Sequence, residues 1–188
     1  MLWHFRNLIA FICLLLYGKS LCNKKTYTLI IEKLSFNMTE GQTTLDDGSN
    51  LFLMGRDRLI NGTVEVFEDI DPEHFLVHIA LLSDSSGNGD FKPLPYNVST
   101  TDPCTGIIDY GSMAKPSLDP DKNTNFPING DVCPIPKGVY YFNDIKVSTD
   151  NLPSHVPRGF VKGVLTLFKD NATIGTFEML ARVEDKYM

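Results

Sequence analysis

The end of the chain narrows its fold more than any other part. Val161, Gly163, Leu165 and Leu167 fill every second position of one run. Phe177, Met179, Ala181 and Val183 do the same in the next, against Thr176, Glu178, Arg182 and Glu184. A period of two collects such side chains on one face of a β-sheet and scatters them around a helix. Lys169-Asp170-Asn171-Ala172, between the two runs, has the chemistry of a hairpin turn. The same alternation recurs upstream. Tyr27, Leu29 and Ile31 alternate with Thr28, Ile30 and Glu32, and Val64 and Val66 flank Glu65 within residues 59–67. Phe75, Val77, Ile79 and Leu81 alternate with His74, Leu76, His78 and Ala80. These runs predict an all-β, antiparallel domain. Asn61-Gly62 fits either a hairpin turn or a bulge within one long strand.

Residues 84–131 differ, being rich in Gly, Pro, Asp, Asn and Ser. A loop of that length in a compact domain is usually functional or clamped. Within it, Cys104 to Met113 has room for one or two turns of helix, so a short helix is the most that is expected.

The N-terminus predicts export. Arg6 precedes the unbroken apolar run Leu8 to Tyr17, and small residues lead to Cys22 and the polar Asn23-Lys24-Lys25. This is the pattern of a signal peptide over residues 1–22. The run is about half of the roughly 20 residues a membrane span requires. No later stretch is apolar enough to span, and the C-terminal residues suggest no lipid anchor. Residues 23–188 then form a single secreted, extracellular domain of 166 residues. Losing Arg6 and Lys19 takes the formal net charge from −6 to −8. An acidic chain without basic clusters is a poor partner for nucleic acid or an anionic membrane.

Cysteine count agrees with export. Cys13 lies inside the signal. Cleavage after Cys22 leaves the even pair Cys104 and Cys133, whereas cleavage after Ser20 leaves an odd thiol. Parity favours the first option and a Cys104–Cys133 disulfide. It would close a loop of about 30 residues, stabilising on the order of 3–4 kcal/mol in the chain-entropy model. Four glycosylation sequons follow the signal, at Asn37, Asn61, Asn97 and Asn171. Each predicts a water-facing side chain.

No motif argues for catalysis, a metal or a cofactor. The chain lacks G-x-S-x-G, a phosphate-cradling glycine loop and H-E-x-x-H. His74 and His78 have a zinc-like spacing only on a helix. On a strand they stand about 13 Å apart on one face and are expected to face solvent. His155 falls in a proline-rich loop, and Asp46-Asp47 and Asp119-Pro120-Asp121 read as solvated turns.

One longer pattern is more specific. Asn125-Phe126-Pro127 leads to Cys133-Pro134-Ile135-Pro136-Lys137-Gly138 and Tyr140-Tyr141, then Leu152-Pro153 and Pro157-Arg158-Gly159, then the last strand pair. It resembles the C-terminal half of the lipid-recognition (ML-type) sandwich of the ganglioside activator. More closely, it resembles an insect family of secreted proteins of unknown function that includes the chemosensory protein B group. Tyr27 to Glu32 and Asn61 to Val66 resemble that family too.

The resemblance implies a two-layer antiparallel β-sandwich, or cup, opened to hold an acyl chain. It implies a non-enzymatic protein that carries or presents a lipid or apolar semiochemical in taste or pheromone perception, with a membrane receptor as a further partner. The alternative is a secreted adhesion or receptor-interaction module with a filled core and no ligand. On the carrier reading, the inner faces of the last strand pair line the apolar space through Val161, Leu165, Leu167, Phe177, Met179 and Val183. The middle segment edges it, with Ile107, Ile108, Tyr110 and Met113 as its lip.

Trp3, inside the expected signal, is the only tryptophan. Processed material should therefore show tyrosine-only fluorescence, and tryptophan emission from secreted protein would mean that the signal stays attached.

Overall fold

The structure, a computed structural model, describes residues 26–96, 98–120 and 122–186. The expected signal peptide with Cys13 and Cys22, the acceptor Asn97 and Asp121 lie outside the described residues. In chain order the elements are β1 (Tyr27–Met38), β2 (Leu51–Met54), β3 (Leu59–Val66), β4 (Phe75–Asp84), β5 (Lys92–Pro93), β6 (Val98–Thr101), α1 (Pro103–Ala114), β7 (Gly138–Ile145), β8 (Gly159–Lys169) and β9 (Ala172–Asp185). No helix among the described residues is long and apolar enough to cross a membrane.

The strands form two antiparallel sheets, as the alternation predicts. The larger runs β1-β9-β8-β4-β5, with β6 also paired to β4, and the smaller runs β2-β3-β7. The β8–β9 hairpin turns at Asp170 and Asn171, both with positive φ (49° and 64°). Asp and Asn tolerate that conformation better than most residues. A buried cluster of Val66, Ile70, Phe75, Ile135, Tyr140, Leu167 and Ile174 packs residues of both sheets against each other.

Bulges set which side chains point inward. In β1, Ile31 pairs with Ala181 and Lys33 with Leu180, leaving Glu32 as the extra residue. The inward set therefore changes from Tyr27, Leu29 and Ile31 to Leu34, Phe36 and Met38 without a break in the apolar face. In β3 the Asn61-Gly62 pair lies inside the strand, which decides between turn and bulge. Ile60 pairs with Ile145 and Gly62 with Phe142, so the extra residue lies on β7, where Asp144 has φ 50°. The side-chain oxygen of Asn61 accepts the Asp144 N–H at 3.0 Å and satisfies the irregular backbone.

Two expectations need correction. The helix is longer than expected, with twelve residues against one or two turns. Its start is well specified: Asp102 accepts the Thr105 N–H at 2.9 Å, and Pro103 follows at the first helical position. His78, expected to face water, is half-buried in β4, and its Nδ1 is buried without a hydrogen-bond partner. It sits on a central strand, paired with β8 on one side and β6 on the other. His74 precedes that strand and is exposed, with its Nδ1 3.0 Å from Asp71. The Asp71 carboxylate raises the imidazole pKa above its usual value.

The Cys104–Cys133 disulfide is present, with Cα atoms 5.9 Å apart. It joins the first turn of α1 to the segment leading into β7.

The described acceptors differ in what a sugar would meet. Asn37 and Asn171 are exposed, whereas the side-chain nitrogen of Asn61, the atom that would carry the glycan, is buried. Glycopeptide mapping of secreted protein should find occupancy at Asn37 and Asn171 and an unmodified Asn61. A glycan found at Asn61 would mean that the β3–β7 bulge is arranged differently.

Candidate functional site

Between the sheets the interior is not filled. The inward residues of β3 (Val64, Val66), β4 (Val77, Ile79), β7 (Tyr140, Phe142) and β8 (Leu165, Leu167) surround a deep chamber of about 470 Å³. Leu29 of β1, Ile60 of β3, Leu81 of β4, Val161 and Gly163 of β8, and Met179 and Ala181 of β9 surround an outer chamber of about 420 Å³. Small-molecule sites typically occupy roughly 300–1,000 Å³, so either chamber alone is large enough for a guest. A third space of about 70 Å³ lies beside the deep chamber, against Met38, Asp46 and Gly175.

The helix explains why the layers do not collapse onto each other. One side of α1, with Ile107, Tyr110, Gly111 and Ala114, forms a wall of the deep chamber. Gly106 faces Val77 of β4 and Thr101 of β6, and Gly111 faces the stretch that follows the helix. A Cβ on Gly111 would lie 2.9 Å from the carbonyl oxygen of Ile128, so only glycine allows that approach. Phe126 packs edge-on against Tyr140 at 5.4 Å between ring centroids and ties the stretch to β7. The Tyr140 hydroxyl donates to the Pro136 carbonyl, and burial raises its pKa, with Asp69 adding to the effect.

Leu51, Ala114, Phe142 and Phe177 border both chambers and form a waist between them. The Phe177 ring lies against Phe36 at 4.7 Å between centroids. Phe36 is itself seated on Gly48, which has φ 68° and where a Cβ would fall 2.3 Å from the ring. The waist is thus fixed by packing from both sides.

The rim is built from loops. Tyr96 and Met113, which border the outer chamber, are 44% and 43% exposed, so this chamber reaches solvent. Residues 147–156 form the opposite side, with Val147, Ser148, Leu152, Pro153 and Val156. Hydrogen bonds tie that loop to β1, to the end of the helix and to the turn beyond it. The Tyr27 hydroxyl donates to Pro153 O at 2.6 Å, Asn151 Nδ2 to Ser112 O at 2.6 Å, and the Ser148 N–H to Ser117 Oγ at 2.8 Å.

Most of the residues expected to line an apolar space lie on these walls. Ile107, Tyr110, Leu165 and Leu167 border the deep chamber, Met113, Val161 and Met179 the outer one, and Phe177 both. Two do not. Ile108 is 65% exposed, because its neighbour Ile107 takes the inward side and adjacent helical residues point about 100° apart. Val183 is 3% exposed but borders neither chamber, being packed between Leu29 and Gly159 across the sheet. The helix is also a wall and not a lip; Met113 alone of its expected residues reaches the rim. The contributions of β3, β4 and β7 were absent from the expected lining. Alternation in Val64-Glu65-Val66 and in residues 75–81 marked their apolar face, but whether that face met core or void lay beyond sequence.

Among the described residues no group of three or more His, Cys, Asp or Glu is placed to hold a metal ion.

Val161 and Val183 share one face of the same sheet yet meet different surroundings, which gives a direct comparison. Val161→Phe should leave the melting temperature nearly unchanged, because the ring enters the outer chamber. Val183→Phe overfills packed core and should destabilise by about 1–3 kcal/mol. Equal losses in thermal unfolding would show that the outer chamber is not open space in solution.

Residues 77–162 match the model of a family described as "protein of unknown function (DUF1091)". The family is associated with ML-like insect proteins, in line with the coarser part of the expected resemblance. No curated protein matches the chain. The matched stretch runs from β4 through α1 and the disulfide to the start of β8. The chain is therefore similar to this family over the segment that builds the helical wall and half of the rim.

Proposed function

We propose that this is a secreted, non-enzymatic binding protein that carries or presents a lipid or another apolar small molecule. The observation that carries the reading is the pair of adjoining apolar chambers, about 470 and 420 Å³, held open between two sheets. Without a guest, the apolar walls of both chambers stay in contact with water, which forgoes about 25 cal/mol for each Å² of apolar surface left unburied. Water is a poor occupant, since the walls offer few hydrogen bonds. A hydrocarbon guest gains about 0.8 kcal/mol for each buried methylene and restores the lost contacts.

The same observation weighs against the adhesion-module alternative, which requires a filled core. The similarity of the middle segment to a family associated with ML-like insect proteins supports an apolar cargo. The resemblance to the chemosensory protein B group suggests a cue of taste or pheromone perception, delivered to a membrane receptor.

Native mass spectrometry of the secreted protein, before and after organic extraction, tests the proposal. The expected result is an adduct of a few hundred daltons, typical of a chain lipid, that extraction removes. Protein that carries no adduct and takes up no apolar dye after extraction would rule the carrier function out.

A further inference from the structure

The chambers also restrict the chemistry of a guest. Among the described residues, no Asp, Glu, Lys, Arg or His borders either one. A carboxylate or ammonium drawn inside would lose its water without gaining a counter-charge, a penalty that a single hydrogen bond cannot offset. Three hydroxyl residues border the outer chamber: Tyr96 at its exposed edge, and two serines joined to each other. Ser117, just beyond α1, and Ser148, in the rim loop, are both half-buried. Ser117 Oγ accepts the Ser148 N–H at 2.8 Å, and Ser148 Oγ accepts the Asp150 N–H at 3.2 Å. Each oxygen thus already has a donor, and each hydroxyl keeps its proton to give. Donors of this kind suit an oxygen that only accepts, such as a carbonyl.

We infer that the guest is an uncharged long-chain molecule with one hydrogen-bond-accepting oxygen, such as an ester, ketone or aldehyde, seated against Ser117 and Ser148. Its hydrocarbon chain runs inward past Phe177 to the deep chamber. The inference rests on the carrier function proposed above and adds the class of cargo.

Displacement of the neutral dye N-phenyl-1-naphthylamine from extracted protein tests it, with methyl dodecanoate, tridecane and dodecanoate as competitors. The ester should bind about three- to tenfold more tightly than the hydrocarbon, the value of one hydrogen bond. At about pH 8 the dodecanoate anion should bind at least roughly tenfold more weakly than the ester, with the gap narrowing at about pH 4 as the carboxyl is protonated. The double variant Ser117→Ala, Ser148→Ala should remove the advantage of the ester over the hydrocarbon. Anion and ester displacing the dye equally at about pH 8, or an ester advantage that survives the double substitution, would overturn the inference and leave the carrier function standing. Failure of the dye to bind at all would overturn both.

Discussion

The bond between Cys104 and Cys133 holds together the parts that keep the two sheets apart. It fixes the start of α1 against the segment that feeds β7, and Gly111 against Ile128 completes the contact. Two amphipathic sheets facing each other in water gain most by interdigitating at about 10 Å. Here the helix stands in the wall between β4 and the stretch tied to β7, so that closure is blocked along this side. The loop-entropy benefit of the disulfide is then only part of its role. It holds a helix where hydrophobic collapse alone would not place one.

Much of this fold is legible in sequence because strand alternation is a local signal. The runs ending in Leu167 and Val183 show their inward faces directly, and the Asp170-Asn171 turn shows how they pair. The start of the helix is legible as well: Asp102-Pro103 is an N-terminal signal that fixes where the helix begins. Glu32 shows the limit. The apolar positions of β1 change from odd to even around it, a mark of a bulge, yet its meaning depends on β9. Asn61 is harder still. As a sequon it reads as a surface site, but its amide is committed to a bulge on a strand some 80 residues away in the chain. Nothing local distinguishes the two. Ile107 and Ile108 are chemically identical neighbours, and only the docking of α1 decides which one meets the interior.

Among the described residues, acidic and basic groups are kept off the walls of the two chambers. On the larger sheet, Arg182 of β9 pairs with Glu32 across on β1 and with Glu184 two residues along its own strand. Asp84, buried at the end of β4, is compensated. Burial raises its pKa, but hydrogen bonds from the Ser86 hydroxyl and from the N–H groups of Ser86, Gly87 and Gly89 bring it below its usual value. A carboxylate in this molecule is therefore stabilised where donors converge on it, and the chambers provide no such place. The ionisable surface and the apolar interior are chemically separate, with Ser117 and Ser148 near the boundary.

The exposed acceptors Asn37 and Asn171 stand near one pole of the sandwich. Asn37 pairs with Thr176 close to the β8–β9 turn that holds Asn171. The outer chamber extends toward the other ends of the same strands, where Ala181 stands roughly 15 Å from the level of Asn37 and roughly 30 Å from Asn171 at the usual strand rise. Carbohydrate at these two positions would cover the end of the sandwich around the β8–β9 turn with a hydrated, bulky layer. Encounters with a neighbouring surface would then be directional. Collisions through the glycosylated pole would be unproductive, and close approach would occur through the end at which a guest enters or leaves.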